Sequence, residues 1–159
     1  MYPWFIALHH KLMRSAAAQS LHHALLINAK PGMGKHEFVH TLANDLLCHA
    51  PFNLTACGQC QSCLLNNAHT HPDRYVIASD KQISVNEIRE ALVKLQDHAQ
   101  LSQRKVLIIE HADTMTEAAA NALLKTLEEP TDNTYLLLTV SDIQRLLPTI
   151  LSRCEKNTV

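Results

Sequence analysis

Ala24-Leu25-Leu26-Ile27-Asn28-Ala29-Lys30-Pro31-Gly32-Met33-Gly34-Lys35-His36 is the stretch on which the fold turns. An apolar run enters a loop rich in Pro and Gly. A helical pattern follows from His36 to Cys48, with Val39, Leu42, Ala43, Leu46 and Leu47 on one face. Strand, glycine loop and amphipathic helix in that order frame a phosphate loop, G-x-x-x-x-G-K-[ST]. In such a loop backbone N–H groups face the phosphates, the lysine reaches the β- and γ-oxygens, and the hydroxyl holds Mg²⁺. The register here is Ala29 to His36. Gly32, Gly34 and Lys35 keep an anion nest and a positive charge. Ala29 replaces the first glycine, which a negative φ tolerates, and His36 replaces the hydroxyl residue. An imidazole cannot stand in for an oxygen ligand on a hard cation. A bare glycine turn is the competing reading, but the flanking elements favour a degenerate nucleotide loop.

Working outward, Val106-Leu107-Ile108-Ile109 is uniformly apolar, as in a parallel sheet covered on both faces. It runs into Glu110-His111-Ala112-Asp113, where an ATPase of this type carries Asp-Glu, one acid for the metal and one to activate water. Glu110 keeps a carboxylate, but His111 takes the water-activating place. With His36, this predicts that hydrolysis is absent. Tyr75–Ala78 and Tyr135–Val140 read as further strands. Ser84-Val85-Asn86-Glu87 is spaced as a capping box, followed by Ile88, Leu92, Leu95 and Ala99 at helical steps. Thr114-Met115-Thr116-Glu117 has the same spacing ahead of an Ala/Leu-rich helix that Pro130 ends. The alternation of strands and helices argues for a mainly parallel α/β sheet, with the chain ending just after a helix.

The chain has 159 residues, the length of one domain, with 47% hydrophobic and 18% charged residues, which excludes disordered and fibrous classes. A net charge of −1 and 4% aromatics disfavour a basic groove with stacking rings. No apolar run reaches the roughly 18 residues of a membrane span, and the first residues lack the features of a signal peptide. The expected compartment is the cytoplasm, where thiols stay reduced. Cys57-Gly58-Gln59-Cys60-Gln61-Ser62-Cys63 then reads as three soft ligands of a structural Zn²⁺. Cys48, at the end of the first helix, is the natural fourth, and His69 and His71 compete with it. An iron–sulfur cluster fits less well, because the closing Cys-Pro signature is missing. Cys154 reads as a buried small hydrophobe. His36 and His40 stand at i, i+4, without the glutamate of a zincin motif.

Several segments together resemble the delta-prime family of bacterial clamp-loader subunits. They are Trp4, His22-His23-Ala24-Leu25-Leu26, Pro31-Gly32-Met33-Gly34, the four-cysteine set and His71-Pro72-Asp73. Asn121-Ala122-Leu123-Leu124-Lys125-Thr126-Leu127-Glu128-Glu129-Pro130 and Leu151-Ser152-Arg153-Cys154 complete the set. The resemblance implies an AAA+ P-loop NTPase-like fold: a parallel five-stranded sheet flanked by helices, with a small zinc module inserted at about residues 48–71. Residues 1–159 would be the N-terminal domain, with lid and collar domains beyond. It implies a non-hydrolysing stator in a hetero-pentamer with motor subunits and a delta subunit, which loads a sliding clamp onto primed DNA. That complex belongs to a DNA-directed DNA polymerase holoenzyme, a nucleotidyltransferase. By the same mapping Arg153 acts in trans on a neighbour's ATP, Ser152 and Cys154 position it, and Cys48, Cys57, Cys60 and Cys63 bind zinc. Nucleotide binding by Gly32, Gly34 and Lys35 is weak at most, although Lys35 departs from many degenerate members. The alternatives are an active AAA+ ATPase like the motor subunits, which would carry Lys-Thr or Lys-Ser and Asp-Glu, and a small-molecule kinase, for which no acceptor motif is evident.

Overall fold

A computed structural model describes residues Met1–Val159. Helix α1 (Pro3–Ala17) leads into β1 (Ala24–Asn28), the glycine loop and α2 (Lys35–Leu47). A short α3 (Gln61–Asn67) precedes β2 (Arg74–Ile77), α4 (Val85–Leu95) and β3 (Lys105–Ile109). Then come α5 (Glu117–Glu128), β4 (Thr134–Val140), a single-turn α6 (Pro148–Leu151) and β5 (Glu155–Thr158). The five strands form one parallel sheet in the order β2-β3-β4-β1-β5.

Period-two alternation sends neighbouring residues of each strand to opposite faces. Leu26, Leu107, Ile109, Leu136 and Leu138 pack with Ile88, Leu95, Leu123, Leu127 and Ile150 of α4, α5 and α6. Leu25, Ile27, Val106, Ile108 and Leu137 pack on the other face with Phe5, Leu12, Phe38, Leu42 and Leu46 of α1 and α2. Coverage on both faces is why β3 is apolar at every interior position.

The Ser84 capping box is complete: Ser84 N–H donates to Glu87 Oε2 at 2.8 Å, and Glu87 N–H donates to Ser84 Oγ at 3.3 Å. Three expectations need correction. The box expected at Thr114–Glu117 does not form. Thr116 is the N-cap, accepting from Ala119 N–H at 3.0 Å, while Thr114 turns its hydroxyl to His111 O at 2.7 Å. An isolated parallel bridge between Ile83 and Met115 fixes this start, because Thr116 N–H donates to Ile83 O and holds the backbone extended there. Helix α4 stops at Leu95, so Ala99 lies in the following loop and not on its apolar face. The chain also does not end after a helix. Glu155-Lys156-Asn157-Thr158 is a polar edge strand whose partner, Leu25–Asn28, supplies the order that its own residues do not signal.

Candidate functional site

Every strand points the same way, so the loops after β1, β3 and β4 meet at one end of the sheet. The glycine loop lies there with Gly32 at φ +82° and Gly34 at φ +85°, left-handed values that let the chain turn into α2. Ala29 has no positive φ and is nearly buried, so the missing first glycine costs the turn nothing. Lys35 is 3% exposed. Its ammonium donates to Ala29 O at 3.0 Å and Ser141 Oγ at 2.8 Å. Burial pushes its pKa down, and Asp113 pulls it back up. The Asp113 carboxylate in turn accepts from Ser141 and Asp142 N–H, each at 3.1 Å.

Glu110, at the end of β3, is also occupied from within. Its carboxylate accepts from His40 Nε2 at 2.6 Å, and Arg74 donates to the other ring nitrogen of His40. Since the guanidinium can only donate, His40 must carry its proton on the nitrogen facing Glu110. His36 Nδ1 lies 3.8 Å from the second Glu110 oxygen, and its ring packs 4.5 Å from that of His111. Burial pushes the His36 imidazole down, with Glu110 opposing. The N-terminal residues close over this loop. Trp4 Nε1 donates to Met33 O at 2.8 Å, and Tyr2 stacks on Trp4 at 5.0 Å with its edge against Gly34.

The four cysteines meet at the far end of α2. Their sulfurs lie within 4.8 Å of one another, with Cys48···Cys60 and Cys57···Cys63 both at 3.9 Å. A tetrahedron with Zn–S of about 2.3 Å has S···S edges of about 3.8 Å, so the set fits such an ion. Cys57, Cys60 and Cys63 N–H groups donate to sulfur at 3.3–3.4 Å, the bonding that stabilises thiolates. Gln59 and Cys60 N–H hold the Cys57 thiol down. Burial pushes Cys60 up, but His49 and Cys63 N–H outweigh it and leave it at about 6. Burial raises Cys48, and pushes Cys63 up to about 12. His71 is not a ligand: both ring nitrogens are engaged elsewhere, Nδ1 by Asp73 N–H at 3.0 Å and Nε2 by Ser62 at 2.8 Å. His69 lies outside the sulfur group too. Cys154 is buried in the core and its thiol is pushed up to about 11.

Arg153 is remote from the glycine loop. It follows α6 at the start of β5, the opposite end of the sheet from the glycine loop. Five residues of β1 at about 3.3 Å each separate the two ends by on the order of 15 Å. Its guanidinium donates to Thr149 O at 2.9 Å and pairs with Glu128 at 2.7 Å. Sequence reading missed Tyr2, Arg74 and Ser141. Only Ser141 left a signal, a polar residue directly after an apolar strand at the loop-bearing end.

Residues 7–158 match the family described as DNA polymerase III, delta subunit. The chain is 45% identical over 157 residues to DNA polymerase III subunit delta' of Escherichia coli, covering 97% of this chain and 47% of that protein. It is 35% identical over 134 residues to subunit tau/gamma of Haemophilus influenzae, covering 84% of this chain and 20% of that protein. A gamma subunit-related protein of Thermotoga maritima superposes with a TM-score of 0.73 at 26% identity, over 95% of this chain and 45% of that one. The chain thus spans about half the length of the delta' relative, and its sheet is of the AAA+ clamp-loader type. No helix is long and apolar enough to cross a membrane.

Proposed function

The chain belongs to the DNA polymerase III delta-subunit family, and from that premise we propose that it serves as the stator of a replicative clamp loader, without hydrolysing ATP itself. One observation carries the reading. The two charged side chains that a Mg²⁺-nucleotide would engage already have internal partners: Lys35 has Ala29 O and Ser141, and Glu110 has His40. With His36 in the hydroxyl place, the loop itself offers no side-chain oxygen for the metal, and Gly32, Gly34 and Lys35 serve as a turn more than as a nucleotide site. The retained Lys35 favours an active motor-like ATPase as the second reading.

In this proposal residues 1–159 are the N-terminal domain of a longer cytoplasmic subunit with a lid and a collar. Its partners are the motor subunits and the delta subunit of a hetero-pentamer, and through them the sliding clamp and primed DNA. Arg153 reaches a neighbour's ATP, helped by Ser152 and Cys154. Its position opposite its own loop supports action in trans. To reach out it must leave Glu128, an exposed pair worth about 0.2–1 kcal/mol. That is small against the 10³–10⁵ in turnover that an arginine finger contributes. Cys48, Cys57, Cys60 and Cys63 hold one structural Zn²⁺, which when bound ties the loop and α3 to the end of α2.

The test has two arms. The chain with Mg²⁺ and ATP should turn over nothing above background; turnover abolished by Lys35→Ala would favour the motor reading. A loader assembled with Arg153→Ala should form normally but lose part of its clamp- and DNA-stimulated hydrolysis. Full activity would return Arg153 to an ordinary surface role.

A further inference from the structure

We propose that His71, with Ser62 and Ser102, is a positioning residue for the cysteine site: it clamps the one peptide group from which Cys48 leaves α2 and ties it to the helix that carries Cys63. The proposal rests on reading the four cysteines as a metal site.

All three side chains are buried, Ser62 completely and His71 and Ser102 to 6% exposure. Asp73 N–H donates to His71 Nδ1 at 3.0 Å, which leaves the imidazole proton on Nε2. Nε2 lies 2.8 Å from Ser62 Oγ and 3.1 Å from Ser102 Oγ, so the ring donates between two hydroxyl oxygens. Each hydroxyl keeps its own proton to give away, and both give it to Leu47 O, at 2.6 and 2.9 Å. Ser102 is itself held in place, because the buried Asp73 carboxylate accepts from Gln100, Leu101 and Ser102 N–H at 2.7–2.9 Å.

The geometry makes a single carbonyl the meeting point. Leu47 O belongs to the peptide that leads into Cys48, and Cys48 turns out of the helix there at φ −62° and ψ 137°. Rotation of that peptide would swing the Cys48 sulfur away from Cys60, 3.9 Å off. Ser62 directly precedes Cys63 in α3, so the same clamp sets the spacing between the two helices that supply these cysteines. Asp45 acts alike on the other side, accepting from Ala56 N–H at 2.7 Å beside Cys57. A buried network with every donor and acceptor paired resists distortion, and outer partners of metal ligands commonly govern metal affinity by 10–100-fold.

The experiment measures Zn²⁺ affinity of the chain by competition with a chromophoric chelator, and the visible spectrum of the Co²⁺-loaded protein. His71→Leu and Ser102→Ala are compared with His71→Gln, whose amide N–H can still serve the hydroxyls; circular dichroism establishes that each variant is folded. His71→Leu should weaken Zn²⁺ binding by roughly 10–100-fold and shift the Co²⁺ bands, Ser102→Ala should do so less, and His71→Gln should restore most of both. Unchanged affinity and spectrum in folded His71→Leu and Ser102→Ala would overturn the proposal. Should His71→Leu not fold, Ser102→Ala alone decides it. A wild-type chain that takes up neither ion would instead remove the metal reading beneath it.

Discussion

Gly34→Ala and Gly32→Ala make a matched pair at the loop. Both glycines sit in the left-handed region, at φ +85° and +82°. Each alanine should therefore cost about 1–2 kcal/mol for the conformation alone. The space around them differs. A Cβ on Gly32 meets nothing within 4 Å, whereas one on Gly34 would lie 2.3 Å from Tyr2 Cδ2 and Cε2. These are ring atoms held by the stack on Trp4, and Trp4 is pinned to Met33 O. Both rings are exposed, at 41% and 47%, so displacing them adds about 1 kcal/mol, the low end of overpacking. Urea unfolding should thus show Gly34→Ala to be less stable than Gly32→Ala by that amount. Placing Gly34→Ala in a Tyr2→Ala background should reduce its cost to that of Gly32→Ala, a coupling of about 1 kcal/mol in a double-mutant cycle. Equal losses for the two alanines, or independence of Tyr2, would refute the claim that the N-terminal segment bears on the loop.

Metal affinity should fall steeply as pH falls: Cys48, raised by burial, and Cys63, pushed up to about 12, both enter as thiols near neutrality. Since two protons must leave, log affinity should drop by about two for each pH unit of acidification, readable by chelator competition; a flat profile between pH 6 and pH 8, about one unit either side of neutrality, would count against a thiolate site. Burial pushes the imidazoles of His36 and His71 below their usual 6.5, so in that window the unfolded chain binds more protons. Stability should be retained above about 6.5 and lost as pH falls through the lowered folded values, and urea titrations of His71→Gln should show a shallower loss. Thr116→Ala should destabilise by about 1 kcal/mol through its lost cap, while Thr114→Val, which loses only a turn hydrogen bond, should cost less in the same unfolding assay. Arg153→Ala should shift unfolding by no more than about 1 kcal/mol, since its pair with Glu128 is exposed; a larger loss would mark it as a structural residue.

The sequence by itself determined what depends on near neighbours. The apolar run of β3, the Ser84–Glu87 box, the turn at Gly32 and Gly34, and three cysteines in seven residues are all set by contacts within a few positions. Backbone preference and side-chain period decide them before any packing. Tertiary structure decided the rest. His71 and Cys48 were rivals for the fourth ligand until Ser62, Ser102 and Asp73 took both nitrogens of the imidazole. Glu110 looked like half of a metal site until His40, 70 residues away and itself held by Arg74, closed on it. Lys35 found Ser141 across 106 residues, and β5 became a strand although its residues are polar. Each of these partnerships follows from the order β2-β3-β4-β1-β5, which brings the ends of distant strands together. Hydrogen bonds and ion pairs act over about 3 Å, so which of many polar residues meet is settled only when the sheet has assembled and excluded water from the gaps.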